Sequence, residues 1–293
     1  MKKWISKISY QKRRAIFSFL FVLPWIVGFV LFSLKPIYDL FTYSFSRTHF
    51  LPDASIQLDY VGLGNYDTIL ITETTFITNL LDYLSQIALM LPAIVVFGLL
   101  IALLLNSSIP CRRLFRVLFF LPVVLIQGTL LSTIRELNAM SIAGVDAMFV
   151  FTFIRNQLPE WLSNPIMYII NQFITIIWYS GVQILICLAG LQKLDHSMYE
   201  AAYIDGASGW QAFWKITLPV SRPFILLSAV YTVVDVSTMD SNILIQTIKE
   251  KMFTTGSGFG YPAAVATLFF IVMALIAGLV VLLLWRREKK TAA

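Results

Sequence analysis

Apolar residues run along this chain in long blocks, separated by short polar stretches. The first block predicts a helix from about Ala15 to Leu34, with Pro24 placed to bend it. A mixed segment, Lys35 to Thr75, reads as a loop. The second helix is expected over Phe76 to Leu105, broken or bent near Pro92, and a basic loop, Asn106 to Arg116, follows it. A third helix covers Val117 to Ile134. Residues 135 to 164 read as another loop, whose apolar piece Met148 to Ile154 is too short to cross a membrane. The fourth helix is expected over Pro165 to Leu191, the fifth over Pro223 to Ile245 and the sixth over Pro262 to Trp285. Each block approaches or exceeds the roughly 18 apolar residues needed to cross a hydrocarbon layer of about 30 Å. Ten-residue alternation, the mark of a membrane β-barrel, is absent. The expected fold is therefore all-α, with six membrane crossings.

Composition agrees with that pattern and charge orients it. The chain has 293 residues, 58% of them hydrophobic and only 13% charged, which is too little charge for a soluble surface of this size. Lys2, Lys3, Lys7, Lys12, Arg13 and Arg14 precede the first helix. Arg112, Arg113 and Arg116 follow the second, Lys193, Lys215 and Arg222 the fourth, and Arg286, Arg287, Lys289 and Lys290 the sixth. These are alternate loops of a six-crossing chain, so the positive-inside rule places all four groups in the cytoplasm. Residues 1–14 and 286–293 become cytoplasmic tails around a transmembrane domain, 15–285. The formal net charge of +6 is thus sided, as a membrane topology requires, and carries no nucleic-acid reading. The first block lacks a small-residue cleavage site and reads as a retained helix. Cys111 and Cys187 fall in different settings, so no disulfide is expected. His49 and His196 are too few and too far apart for a metal site.

Between the fourth and fifth helices lies a polar island, residues 192–222. Ser197-Met198-Tyr199-Glu200 fits a capping box and predicts a helix starting near Met198. Gly206 is placed to stop that helix in the left-handed region. Ser208-Gly209-Trp210-Gln211 fits a second capping box. Trp210, Phe213, Trp214 and Thr217 then recur at helical spacing, and Pro219 is expected to end that second helix. The island reads as helix, glycine turn, helix.

Glu200-Ala201-Ala202, then Asp205-Gly206-Ala207, then Leu218-Pro219 at fixed distances resemble the EAA motif. That motif marks the permease subunits of binding-protein-dependent ABC importers, and this string is most similar to the carbohydrate-uptake, maltose-transporter branch. Leu34-Lys35-Pro36-Ile37 and Val61-Gly62-Leu63-Gly64-Asn65-Tyr66 also resemble that branch. The resemblance implies an ABC-importer permease fold in the bacterial cytoplasmic (inner) membrane. It assigns the island's Glu200, Ala201, Ala202, Asp205, Gly206, Ala207, Leu218 and Pro219 to a coupling loop. Two copies of a cytoplasmic ATPase would dock there, with an extracytoplasmic solute-binding protein on the other face. A second homologous permease is implied as a heterodimer partner; the residues themselves leave homodimer and heterodimer open. ATP would be bound by the partner, since no nucleotide-binding loop occurs in this chain: Gly256, Gly258 and Gly260 are not followed by Gly-Lys-Ser/Thr. The family's usual Gly-Gly-Pro turn after the fifth helix is replaced by Thr254 to Gly260, which leaves the exact sugar open.

Each site residue has a plainer reading beside the functional one. Glu200 serves as a capping acceptor, as a charged contact for the ATPase, or as both. Trp210, Phe213 and Trp214 pack on the permease's own helices or at the headgroup level, or else touch the ATPase. Asp235 and Asp240 lie five apart, about 140° round a helix, so they cannot share one face. Asp240 is nearer the outer end. Asp235 and Tyr231, with Asn171, Trp178 and Gln183 on the fourth helix, are the candidates for a substrate pathway; their plainer role is hydrogen bonding between helices. No catalytic set, cofactor site or metal site is expected, and the chain does not read as an enzyme. Two alternatives remain at this stage. An ion-coupled secondary transporter would show internal repeats and paired intramembrane charges, which are not seen. An importer permease for a non-sugar solute would share the motif.

Overall fold

A computed structural model describes residues 10–50, 56–73, 75–107, 112–125, 156–239, 242–253 and 258–285, together with Pro110 and Ile154. Among the described residues its elements are helices and one two-stranded hairpin. Four helical runs among the described residues are long and apolar enough to cross a membrane: Phe17–Ser44, Thr75–Asn106, Gly209–Ser237 and Gly260–Leu284. A bent pair of helices makes a fifth. The predicted third span is described only as far as Leu125. Residues 148–153, Asp240 and both tails beyond 10 and 285 lie outside the described residues.

The chain divides into two units, the first comprising Met1–Phe76 and Thr247–Phe269. Helix α1 (Tyr10–Phe29) passes straight through Pro24. A wide π turn, Val30–Leu34, leads into α2 (Lys35–Ser44). The first helix thus outruns its predicted end by ten residues, and a proline again fails to stop it. The Lys35 N–H bonds to the Val30 carbonyl, five residues back, immediately before Pro36. Proline lacks an N–H and its ring crowds the carbonyl four residues back; a wide turn relieves both problems.

The predicted loop after it is also more ordered than its pattern suggests. Strands β1 (Ser46–Phe50) and β2 (Ile56–Tyr60) pair antiparallel, with Ser46 opposite Tyr60. The short helix α3 (Gly64–Asp67) follows. Its Asn65 amide donates to the carbonyls of Ser44 and Ser46, both at 3.0 Å, and the Tyr66 hydroxyl donates to Ser44 Oγ at 2.8 Å. These bonds hold the start of the hairpin against the end of α2. On its other side the hairpin meets the turn at Gly258 to Gly260. The Phe259 N–H donates to Thr48 Oγ1, and a Cβ at Gly260 would lie 2.1 Å from the Ser46 carbonyl oxygen. Glycine at 260 is a requirement of that close approach.

The second unit, Ile77–Gln246 and Phe270–Ala293, holds most of the remaining helices. Helix α4 (Thr75–Asn106) contains Pro92 without breaking. Helix α5 (Arg112–Leu125) begins five residues earlier than predicted, absorbing the basic loop. The predicted fourth helix is three pieces: α6 (Glu160–Asn171), α7 (Phe173–Tyr179) and α8 (Gly181–Leu191). The α7–α8 bend is 54°. Ser180 causes a local break: its hydroxyl bonds back to the Ile177 carbonyl at 2.8 Å, and Gly181 follows. Gly/Ser pairs are frequent kink sites.

The polar island forms helices α9 (His196–Ile204) and α10 (Gly209–Ala212) and a π turn, Phe213–Thr217, and leads into α11 (Leu218–Ser237). The predicted fifth helix stops at Ser237; α12 (Ile243–Phe253) starts anew after Asn242, whose amide caps the junction. Helix α13 (Gly260–Trp285) completes the order.

The core of this unit forms where α4, α5 and α8 meet. Ala102, Leu105, Ile184, Cys187, Leu188 and Leu191 are buried together, with Phe119 against them. Helix α11 packs closely on α8. A Cβ at Gly190 would sit 2.4 Å from Phe224 Cγ. Polar bonds from α11 to α8 and to α4 replace what lipid cannot supply. Gln183 donates to Thr232 Oγ1 at 3.0 Å, and Tyr83 and Ser237 share a hydrogen bond of 2.6 Å.

Candidate functional site

The polar island folds into a capped elbow. Its first limb, α9, is not capped as predicted. Asp195, one residue before the helix, is the N-cap, and its carboxylate accepts from the Ser197 N–H at 3.0 Å. The capping box predicted at Ser197 and Glu200 is therefore corrected: the helix starts two residues earlier, at His196. Aspartate caps as well as serine and adds a negative charge at the positive helix end. The Ser197 N–H and then the Ser197 hydroxyl hold the Asp195 carboxyl below the ordinary aspartate value. The cap therefore stays charged to a lower pH than a free aspartate would.

This shift changes the reading of Glu200. Its capping role is gone, and it lies exposed mid-helix; among the described residues its carboxylate has no hydrogen-bond or ion-pair partner. Ala201 is exposed beside it and Ala202 is half-buried. Tyr203 and Ile204 stand out further, with Ile204 at 86% exposure.

The turn is a complete Schellman motif. Gly206 has φ +82°. Its N–H bonds to the Tyr203 carbonyl at 3.1 Å, and the Ala207 N–H reaches the Ala202 carbonyl at 2.9 Å. This is the double closure expected for a left-handed residue just past a helix end. Asp205 stands at the C-cap.

The second limb starts on the capping box predicted at Ser208. The Gln211 N–H donates to Ser208 Oγ at 3.3 Å, and the Ser208 N–H donates to Gln211 Oε1 at 2.9 Å. Pro219 does not end this limb, contrary to expectation. The chain stays helical from Gly209 to Ser237, through a π turn in which the Leu218 N–H bonds to the Phe213 carbonyl. The device seen before Pro36 recurs before Pro219. The elbow's second limb and the membrane helix α11 are thus one continuous rod.

Across the elbow, the Tyr199 hydroxyl and Thr217 Oγ1 share a 2.7 Å hydrogen bond. That tie joins the limbs, and the sequence pattern did not reveal it. Trp210 stacks on Phe213, and Trp214 meets both edge-on, at centroid distances of 5.2 to 6.2 Å. Trp210 is still 70% exposed. The tie and the rod connect the first limb to the helix that enters the bundle.

The substrate-pathway candidates divide into two sets. Gln183 on α8 is fully buried; besides its bond to Thr232 it interacts with the Asp235 carboxylate. Tyr231 and Asp235 share one face of α11 at i and i+4 and interact with each other. These three form one cluster. Asn171 ends α6 and is exposed, while Trp178 is half-buried in α7; both precede the 54° bend. Among the described residues there is no cluster of three or more His, Cys, Asp or Glu fit to hold a metal.

Comparison with known proteins agrees with this architecture. Residues 71–290 match the family model described as "Binding-protein-dependent transport system inner membrane component". An arabinooligosaccharides transport system permease protein of Bacillus subtilis (strain 168) is 29% identical, over 92% of this chain and 88% of the relative. A multiple sugar-binding transport system permease protein of Streptococcus mutans is 27% identical, over 87% of this chain and 90% of the relative. The solved structure of a bacterial ABC transporter that imports the acidic polysaccharide alginate contains a chain of the same fold. Its TM-score is 0.56 at 20% identity, covering 95% of this chain and 96% of the other. These likenesses do not favour an ion-coupled secondary transporter. The chain belongs to the family of inner membrane components of binding-protein-dependent transport systems.

Proposed function

We propose that this chain is the membrane permease subunit of an ATP-driven importer of sugars or oligosaccharides, and that the elbow is where a separate ATPase drives it. The observation that carries the proposal is the elbow's form: a doubly capped, exposed limb tied to a helix that continues into the bundle. Support for the sugar class comes from the relatives, which include permeases named for arabinooligosaccharides and multiple sugars. A related transporter has been solved with an alginate-bound periplasmic protein, which supports an extracytoplasmic binding protein as partner. Both termini and the elbow face the cytoplasm in this reading, by the distribution of Lys and Arg. A second permease, as a heterodimer partner, and two ATPase copies complete the assembly. ATP binds to the ATPase, and this chain performs no catalysis.

The cycle is alternating access. ATPase closure moves the limb that carries Glu200, Ala201, Ala202 and Ile204. The rod through Leu218 and Pro219 tilts, and the pathway opens outward to the loaded binding protein. Hydrolysis resets it.

Glu200→Gln tests the contact. With Asp195 as the cap, this substitution removes only a charge. A charge partly buried in a protein contact contributes about 2 kcal/mol, roughly 30-fold in docking affinity. ATPase retained on the purified permease should fall by that order, with membrane levels unchanged. Full retention would remove Glu200 from the contact.

Asp235→Ala tests the pathway. A carboxylate that accepts from a sugar hydroxyl contributes about 1.5–3 kcal/mol. Sugar uptake should drop about tenfold or more while ATPase docking is kept. Normal uptake would leave Asp235 as a partner of Gln183 and nothing more.

A further inference from the structure

On the inner side of the elbow is a cavity of about 700 Å³. Its polar lining comes from Asn106 at the end of α4, Arg116 on α5, Gln192 after α8, and His196, Tyr199 and Tyr203 on α9. Among the described residues no Asp or Glu lines it. Arg116 Nε is buried and has no hydrogen-bond partner among the described residues. A guanidinium is always charged and presents only donors. Arg116 also lines the cavity with no ion-pair partner among the described residues, and an anion is the group such a guanidinium fork binds most strongly.

We propose that this cavity binds the phosphate of an organic phosphate ester, and that occupancy stiffens the elbow. The guanidinium fork matches phosphate oxygens in two-point fashion. Amide and phenol donors around it supply neutral hydrogen bonds to a polar body, and the volume exceeds what a bare inorganic ion fills. Two sources offer the same chemistry. One is an anionic phospholipid headgroup, because Arg116 belongs to the basic segment assigned to the membrane's inner boundary. The other is a soluble sugar phosphate.

The cavity reaches both limbs of the elbow. Tyr199 and Tyr203 stand one turn apart on the first limb, and Thr217 on the second also lines it. A ligand held here spans the joint that the Tyr199–Thr217 bond already closes. If occupancy changes ATPase docking, docking must change phosphate affinity by the same factor. This second part rests on the coupling role proposed above; the binding itself does not.

The test uses the assembled transporter in phosphatidylcholine nanodiscs, where both faces are open to solution. Radiolabelled phosphatidylglycerol and glucose 6-phosphate are titrated separately. At least one should bind saturably, and Arg116→Gln should weaken it about tenfold or more, with Arg116→Lys retaining part of the affinity. Lipid binding alone assigns the leaflet as source; ester binding alone assigns the cytosol. Gln192→Leu, at another lining position, should also weaken binding and serves as the readout if Arg116→Gln fails to assemble. The proposal is overturned if neither probe binds, or if affinity is unchanged in the readable variant. Binding to the isolated permease but not to the complex would also overturn it, since a partner side chain would then fill the cavity. ATPase retention measured on the same samples reports separately on the coupling role.

Discussion

Valine at position 206 is expected to leave the chain in the membrane at its normal level while cutting ATP-driven uptake about tenfold or more. The cost is one of backbone, not of space. A Cβ at Gly206 would meet nothing within 4 Å, but φ there is +82°. An L-residue in that region costs about 1–2 kcal/mol, and a β-branched one more. The turn can escape the cost only by giving up the Schellman bonds from Gly206 and Ala207, which set the angle between the limbs. The bundle itself has no stake in that turn, so insertion should survive. Asparagine tolerates the left-handed region, so Gly206→Asn should keep most of the activity. Uptake and membrane level, measured together in the two variants, check this. Loss of Gly206→Val from the membrane would make the residue a folding requirement only.

Gly190→Leu is expected to act on the opposite side of that divide. Here φ is ordinary and space is absent. The new Cβ would lie 2.4, 2.6 and 2.8 Å from three atoms of Phe224, inside van der Waals contact, where α8 meets α11. Overpacking of this kind typically costs 1–3 kcal/mol and occasionally more. Leucine adds further carbons beyond Cβ, so the upper end, about 3 kcal/mol, is the better expectation. The Gln183–Thr232 hydrogen bond depends on the same helix approach and should be lost with it. Accumulation in the membrane should fall several-fold, and Phe224→Ala in the same chain should restore part of it. Gly278→Leu is the control: that glycine also lies in a spanning helix, with nothing within 4 Å of its Cβ position. Equal levels of Gly190→Leu and Gly278→Leu would show that the helices do not approach as described.

How much of this was legible beforehand depends on the range of the interaction. The long apolar blocks announced Thr75–Asn106 and Gly260–Trp285 nearly to the residue, because lipid imposes length and hydropathy on any spanning helix. Gly206 and the Ser208–Gln211 box were also readable, since a turn and a reciprocal cap are written in four to six consecutive residues. Ser197 and Asp195 competed for the same helix end, and local pattern alone chose the wrong one. Pro219 misled because the rule that proline ends a helix assumes normal α turns on its N-terminal side, and Pro219, like Pro36, is preceded by a wide one. The bend at Ser180 was hidden inside an unbroken apolar run. The hairpin at 46–60 was hidden for another reason: its hydrogen bonds to Asn65 and to the Gly258 turn join residues far apart in the chain. For the same reason nothing in the sequence joined Arg116 to Tyr199, or Tyr199 to Thr217.

The account stands on an exposed elbow that meets a separate ATPase on the cytoplasmic side. Ile204, at 86% exposure, is the place to ask. Ile204→Cys, in a background with Cys111 and Cys187 replaced by serine, is treated with a membrane-impermeant maleimide. The account predicts no reaction on intact cells, ready reaction in inside-out vesicles stripped of peripheral proteins, and protection when the ATPase is added back. Labelling on intact cells, or labelling in vesicles that the ATPase leaves unchanged, would contradict it.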